Sequence, residues 1–134
     1  MIGALIEVHR ALGPGLLESA YEACACRELE LRGFGVERQV SVPLVYRGRE
    51  IDVGFRVDLL VDRVVLIELK AVEALLPVHV AQAVTYMKLA QVRIGLLVNF
   101  NVTALHRGLR RITLPLPEKN FTESSGSSGR EIGG

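Results

Sequence analysis

Apolar positions at Ile2, Leu5, Ile6 and Leu12, with His9 on the same stripe, follow a helical period and predict a helix over residues 2–12. Gly13-Pro14-Gly15 breaks it. The helical pattern restarts over 16–32, with Leu17, Ala20, Tyr21, Cys24, Glu28 and Leu31 along one stripe and Gly33 as the stop. From Val36 the period changes to two: Val40, Val42, Leu44 and Tyr46 alternate with Gln39, Ser41, Pro43 and Val45, and Arg47-Gly48 reads as a turn. Residues 49–61 predict one or two further strands, and Asp62-Arg63 begins a turn. Val64 to Lys70 is a strand apolar on both faces at its start, the pattern of a central strand. Pro77 suits the first turn of a third helix running to about Ala90. Arg93–Asn99 is a buried strand, and 109–114 a short last one. Helix, helix, three or four strands with hairpins, helix and strand predict an α/β sandwich around a mixed sheet.

The chain has 134 residues, enough for one domain with a real core, and 49 % of them are hydrophobic. With no Trp and 5 % aromatics, that core must be built mostly from Leu, Val, Ile and Ala. After Pro117 the chain turns polar and Ser/Gly-rich, so we expect a domain over 1–116 and a disordered tail over 117–134. A net charge of +1 argues against a protein that coats nucleic acid by bulk charge, while leaving room for local basic clusters at Arg47, Arg49 and Arg56 and at His106, Arg107, Arg110 and Arg111. Cys24 and Cys26, two apart on a helix, can neither pair with each other nor form half a zinc knuckle, and are expected to be small buried residues. No apolar run is long enough for a transmembrane helix and no signal-peptide pattern is present, so a cytoplasmic location is expected.

Two opposite charges end the otherwise apolar strand Val64-Val65-Leu66-Ile67-Glu68-Leu69-Lys70. Alternation puts Glu68 and Lys70 on one face, roughly 7 Å apart along the strand. Taken alone, the pair is accounted for equally well by a solvated ion pair at a fraying strand end. Asp58, in Arg56-Val57-Asp58-Leu59, changes the balance. A hairpin loop with an odd number of residues, such as 62–64, would set Asp58 across from Glu68 on a shared face. A two-residue turn at Asp62-Arg63 would pair it with Ile67 instead, on the opposite face. Two carboxylates meeting at one strand end repel each other unless a cation intervenes, and their hard oxygens suit Mg²⁺ or Mn²⁺. Lys70 beside them could orient or deprotonate a water, or offset developing negative charge. On the third helix Gln82 and Tyr86 lie four apart, hence on one face, where they could hold a phosphate or a water; an exposed Gln beside a half-buried Tyr is the plainer account. Gly15-x-x-Glu18-x-x-Tyr21 opens the second helix: Gly15 serves the turn, Glu18 suits the helix dipole, and Tyr21 suits the core.

Gly15-Leu16-Leu17-Glu18-Ser19-Ala20-Tyr21 resembles the naming motif of the GxxExxY proteins. The resemblance continues through Asp58-Leu59-Leu60-Val61, Ile67-Glu68-Leu69-Lys70-Ala71, Pro77-Val78-His79-Val80-Ala81-Gln82 and Gly95-Leu96-Leu97-Val98-Asn99-Phe100, covering residues 1–114. These proteins look like small members of the PD-(D/E)XK nuclease-like superfamily, which implies a restriction-endonuclease-like αβββαβ core with a central mixed sheet flanked by helices. Similarity to the RecB-like branch implies that Asp58 and Glu68 bind metal, Lys70 assists the water, and Gln82 and Tyr86 approach the substrate. It implies further that Glu18 joins the catalytic site as a metal ligand and that the Leu69 carbonyl ligates metal. The proline that names the superfamily motif is absent before Asp58, where Val57 stands.

The function expected from the sequence is Mg²⁺- or Mn²⁺-dependent hydrolysis of phosphodiester bonds in DNA. The alternative is a catalytically silent nucleic-acid-binding or regulatory module on the same fold. A third reading, an interaction subunit or homodimer, draws on the mean hydropathy of +0.30, high for so small a domain. His9 is expected to be a core histidine, His79 to cap the third helix or line the cleft, and Asn99 to satisfy local backbone groups.

Overall fold

A computed structural model describes residues 1–116; the tail expected over 117–134 lies outside the described residues. The elements in chain order are α1 (Ile2–Leu12), α2 (Glu18–Leu31), β1 (Val36–Ser41), β2 (Leu44–Tyr46), β3 (Arg49–Ile51), β4 (Arg56–Val61), β5 (Val65–Lys70), α3 (Pro77–Ala90), β6 (Ile94–Asn99) and β7 (Leu109–Thr113). A short 3₁₀ turn, Leu105–Gly108, leads into β7. Five strands form one sheet in the order β1-β4-β5-β6-β7, and β2 pairs with β3 as a separate ribbon. Only β5 and β6 run parallel in that sheet, and α3 is the crossover between them.

Each face of the sheet has its own core, because β5 is buried on both sides. Beneath α1 and α2, Leu5, Tyr21, Ala25 and Leu29 pack on Leu59, Val61, Ile67, Leu69, Val98 and Phe100. On the other face Tyr86 and Met87 of α3 pack on Leu60 and Leu66. This is the α/β architecture expected, a mixed sheet between helices. Pro77 opens α3, and Gln91, left-handed at φ 61°, closes it.

Three local expectations are corrected. The alternating run from Val36 is not one strand: Pro43 interrupts it, and beyond that point the chain belongs to the β2–β3 ribbon. The stripe expected on α2 is rotated. Tyr21, Glu22, Ala25, Cys26 and Leu29 are its buried residues, while Leu17 is 78 % exposed and Leu31 62 %. Cys26 is therefore buried as expected but Cys24 is exposed, as positions about 200° apart on a helix require. His9 is buried, its Nε2 2.8 Å from the Val102 carbonyl oxygen, a packing role.

One distortion places the site. Val36 and Val61 pack toward α1 and α2, whereas Val40 and Val57, of the same parity on the same two strands, pack on the α3 side. The register between the strands is unbroken, Arg38↔Leu59 and Val40↔Val57. The pleat therefore changes sides between these pairs, at Gln39 and Asp58 facing each other. Gln39 carries the change in its backbone, at φ 51°.

Candidate functional site

The β4–β5 hairpin settles the parity left open by the sequence. Leu59↔Ile67, Leu60↔Leu66 and Val61↔Val65 are paired, leaving the three-residue loop 62–64. Asp62 and Arg63 are both left-handed, at φ 53° and 57°, and Val64 N–H donates to the Val61 carbonyl at 2.9 Å. The Asp62 side chain also accepts from Gly35 N–H at 2.8 Å, fixing the loop to the start of β1. Extending this register by one pair sets Asp58 opposite Glu68.

At that pair the ladder gives way to side chains. Asp58 N–H donates to Glu68 Oε1 at 3.1 Å, and Leu69 N–H donates to Asp58 Oδ2 at 2.9 Å. Each carboxylate takes a backbone donor from the opposing strand. Glu68 is almost wholly buried, at 3 % exposure. Burial, and next the charge of Asp58, push its carboxyl up to about 8. Asp58 is also raised, by burial first and by the charge of Glu22, against the Leu69 N–H that favours its ionised form. The two carboxyls therefore titrate as one coupled pair, both displaced upward.

Lys70, two residues past Glu68 on the same face, points to α3. Its Nζ donates to Gln82 Oε1 at 3.0 Å, and Gln82 Nε2 donates to the Tyr86 hydroxyl at 3.3 Å. Burial, and then the charge of Glu68, raise the Tyr86 phenol. Asp58 and Glu68 thus form one hydrogen-bonded pair, and Lys70, Gln82 and Tyr86 a second chain of bonds beside it. Among the described residues no ion pair ties Lys70 to either carboxylate.

Glu18 meets this group at its edge. Its Oε2 accepts from Ala71 N–H at 3.3 Å, one residue beyond Lys70. Tyr21 explains how it is delivered there. The fully buried Tyr21 hydroxyl donates to the Gly13 carbonyl at 2.6 Å and accepts from Leu16 N–H at 3.1 Å, clamping the Gly13-Pro14-Gly15 turn. Gly15 sits at φ 102°, a conformation suited to glycine. The Gly-x-x-Glu-x-x-Tyr spacing is a loop clamp that sets the start of α2 against the end of β5.

Sequence reasoning missed Glu22 and Gln39. Glu22 is 7 % exposed, yet accepts from Gln39 Nε2 at 2.6 Å and from Arg38 Nε at 3.1 Å. Gln39 Nε2 also lies 3.2 Å from Asp58 Oδ1, so it bridges the two acids. The available signal was helical spacing: Glu22 falls between Tyr21 and Ala25 on the face that is buried. At the same end of the sheet, where it pairs with Lys70, Asn99 behaves as expected, accepting from Val72 N–H and donating to the Val72 carbonyl, at 3.0 and 2.9 Å. His79 Nδ1 caps α3, accepting from Leu76 N–H at 2.9 Å.

The donor chemistry of Asp58 and Glu68 suits a hard divalent cation in kind. In number it is sparse: among the described residues no group of three or more His, Cys, Asp or Glu side chains gathers into a ligand set. Among them, too, no helix is long and apolar enough to cross a membrane. A family model described as the PD-(D/E)XK nuclease superfamily matches residues 1–112. No curated protein and no solved structure matches the chain.

Proposed function

The chain belongs to the PD-(D/E)XK nuclease superfamily, and from that premise we propose that it is a nucleic-acid-binding or regulatory module on a nuclease-like fold, silent in hydrolysis when it stands alone. The observation that carries this reading is the state of the carboxylate pair. Both acids are turned onto backbone N–H groups, and among the described residues no third ligand-type side chain joins them. Lys70, joined to no carboxylate among the described residues and held by Gln82, offers a positive group to a phosphate.

A second reading, a Mg²⁺- or Mn²⁺-dependent DNA phosphodiesterase, is favoured by one specific observation: Asp58 stands across from Glu68 with Lys70 on the same side. Asp58 and Glu68, with the Leu69 carbonyl, would hold the cation. Two carboxylates suffice where substrate phosphates and waters complete the shell. The cation would supply Lewis-acid stabilisation and activation of water. Lys70 would then orient the nucleophile, with Gln82 and Tyr86 positioning the strand and Glu18 supporting from Ala71.

One set of assays separates the readings. Mg²⁺ and Mn²⁺ binding is measured by calorimetry, together with binding and cleavage of plasmid and single-stranded DNA, for the wild type, Glu68→Ala and Lys70→Ala. A silent module binds DNA in EDTA and cleaves nothing with either metal. Metal binding lost in Glu68→Ala, with cleavage lost in both variants, would replace that reading by the enzyme. A folded wild type that binds no nucleic acid sinks both.

A further inference from the structure

The β2–β3 ribbon stands apart from the five-stranded sheet, and nothing in the site described above uses it. Its register pairs Leu44↔Ile51, Val45↔Glu50 and Tyr46↔Arg49. Tyr46 and Arg49 are thus direct cross-strand neighbours on one face. Arg47 occupies the turn with Gly48, at φ 51° and 78°, and its guanidinium lies 5.7 Å from the centre of the Tyr46 ring. A two-residue turn of this kind favours Asn or Asp before Gly, so a long cationic side chain is held at the tip against the local backbone preference. Tyr46 is 59 % exposed, and among the described residues neither Arg47 nor Arg49 has an ion-pair partner. The result is an exposed aromatic ring flanked by two guanidiniums without an ion-pair partner among the described residues, Arg47 Nε donating to the Tyr46 hydroxyl at 3.4 Å.

The ribbon is also joined to the site. Val42 N–H donates to the Phe55 carbonyl at 3.1 Å across its root. The Phe55 ring lies 5.6 Å from that of Tyr86, which bonds Gln82 and through it Lys70. Whatever the tip holds is therefore presented by an arm whose base packs on the carboxylate-bearing end of the sheet.

We propose that this ribbon is a stacking arm for single-stranded nucleic acid: an unpaired base lies on Tyr46 while Arg47 and Arg49 contact the adjoining phosphates. The inference rests on the nucleic-acid reading above and names the surface that would carry it. The occupant follows from charge and shape together. Two unpaired cations call for a polyanion, and an aromatic face between them suits the spacing of bases along a backbone, where stacking tolerates any sequence.

The test uses the full chain and a fluorescein-labelled oligothymidylate, read by anisotropy across a salt series in EDTA. Tyr46→Ala should weaken binding roughly five- to a hundredfold, and Tyr46→Phe should restore it, since stacking needs the ring and not the hydroxyl. Arg47→Ala with Arg49→Ala should flatten the slope of log affinity against log salt by about 1.4, or ~0.7 for each phosphate no longer neutralised. Circular dichroism checks that each variant is folded. If the wild type binds and all of these variants bind equally well, the arm is refuted while the nucleic-acid reading survives. If the wild type binds no oligonucleotide, both fall. If Tyr46→Ala instead changes the sedimentation coefficient and leaves DNA binding intact, the ribbon is an interface between two copies of the chain and the proposal is overturned.

Discussion

Replacing Glu68 by Gln should stabilise the protein at neutral pH. In the folded chain the Glu68 carboxyl is pushed from 4.5 to about 8, by burial first and by Asp58 next. Below pH 4.5 both folded and unfolded states carry the proton, and the group has no effect on stability. Between 4.5 and about 8 the unfolded chain has released the proton while the folded chain still holds it. The unfolding free energy therefore falls by ~1.4 kcal/mol for each pH unit in that window, and levels off above it. At pH 7 the accumulated cost is about 3 kcal/mol, a large share of what a domain of this size has to spare. Glutamine keeps an oxygen to accept the Asp58 N–H and never ionises.

Urea titrations followed by far-ultraviolet circular dichroism, run from pH 4.5 to 8.5 on wild type and Glu68→Gln, measure this directly. The two proteins should be equally stable at the acid end. The variant should lead by about 3 kcal/mol at pH 7, with a gap that widens by ~1.4 kcal/mol per pH unit between those points. A gap that does not vary with pH, or a variant weaker than wild type at neutral pH, would refute the reasoning: Glu68 would then ionise as an ordinary carboxyl, and the pair would carry no stored repulsion.

Three further sites probe the frame around the pair, with a fourth substitution as a contrast. Tyr21→Phe removes a fully buried hydroxyl that joins the Gly13 carbonyl to Leu16 N–H; it should cost ~1–3 kcal/mol by urea titration and speed hydrogen exchange at Leu16. Gly108→Ala would drive a methyl group into the Asn99 carbonyl, a rigid backbone neighbour, and should cost several kcal/mol, about 2 or more, in thermal or urea unfolding. Gly95→Ala, whose methyl would meet only the flexible end of Met87, should cost about 1 kcal/mol or less by the same measurement; equal costs would contradict the contrast. Gln39→Ala strips one donor from both Glu22 and Asp58 and should cost ~1–2 kcal/mol at pH 7 by urea titration, with the cost shrinking toward low pH as Asp58 takes up its proton.

What the sequence made legible was whatever depends on period and parity. Ile2–Leu12 and Pro77–Ala90 are helices where apolar spacing and Pro77 predict them. The condition that Asp58 could meet Glu68 only across an odd loop or a bulge is met by the three-residue loop 62–64. What remained hidden depends on tertiary context. Nothing in Val-Glu-Arg-Gln-Val marks Gln39 as left-handed; it carries no glycine, and the change of face is defined only once β1 lies against β4. Glu22 is hidden for a related reason. A charged residue on a helix is expected to face solvent, and the partners that make its burial tolerable, Arg38 and Gln39, sit on another element. The α2 stripe is displaced with it, since counting Cys24 and Leu31 as core turns the helix by the angle that would expose Glu22.

The same hidden contacts explain how a small domain tolerates the pair. Two acids brought together at the end of a buried strand oppose folding, and local propensity offers no compensation. The opposition is met by neighbours that fix three of the four oxygens: Leu69 N–H and Gln39 on Asp58, Asp58 N–H on Glu68. Two clamps hold the flanking chain, Tyr21 on the turn before Glu18 and Asn99 on Val72 beyond Lys70. These neighbours make the signs of two kinds of substitution differ. A residue that only supports the frame, such as Tyr21 or Gly108, should lose stability and function together. The protein should gain stability when the ionisable Glu68 is replaced, so any ligand binding or turnover that needs its carboxylate must fall in the more stable protein. Opposite signs in one variant, better folded and less able, would assign the pair to function; a Glu68→Gln protein that is stabilised and unimpaired in every assay would leave its carboxylate with no role in the chemistry.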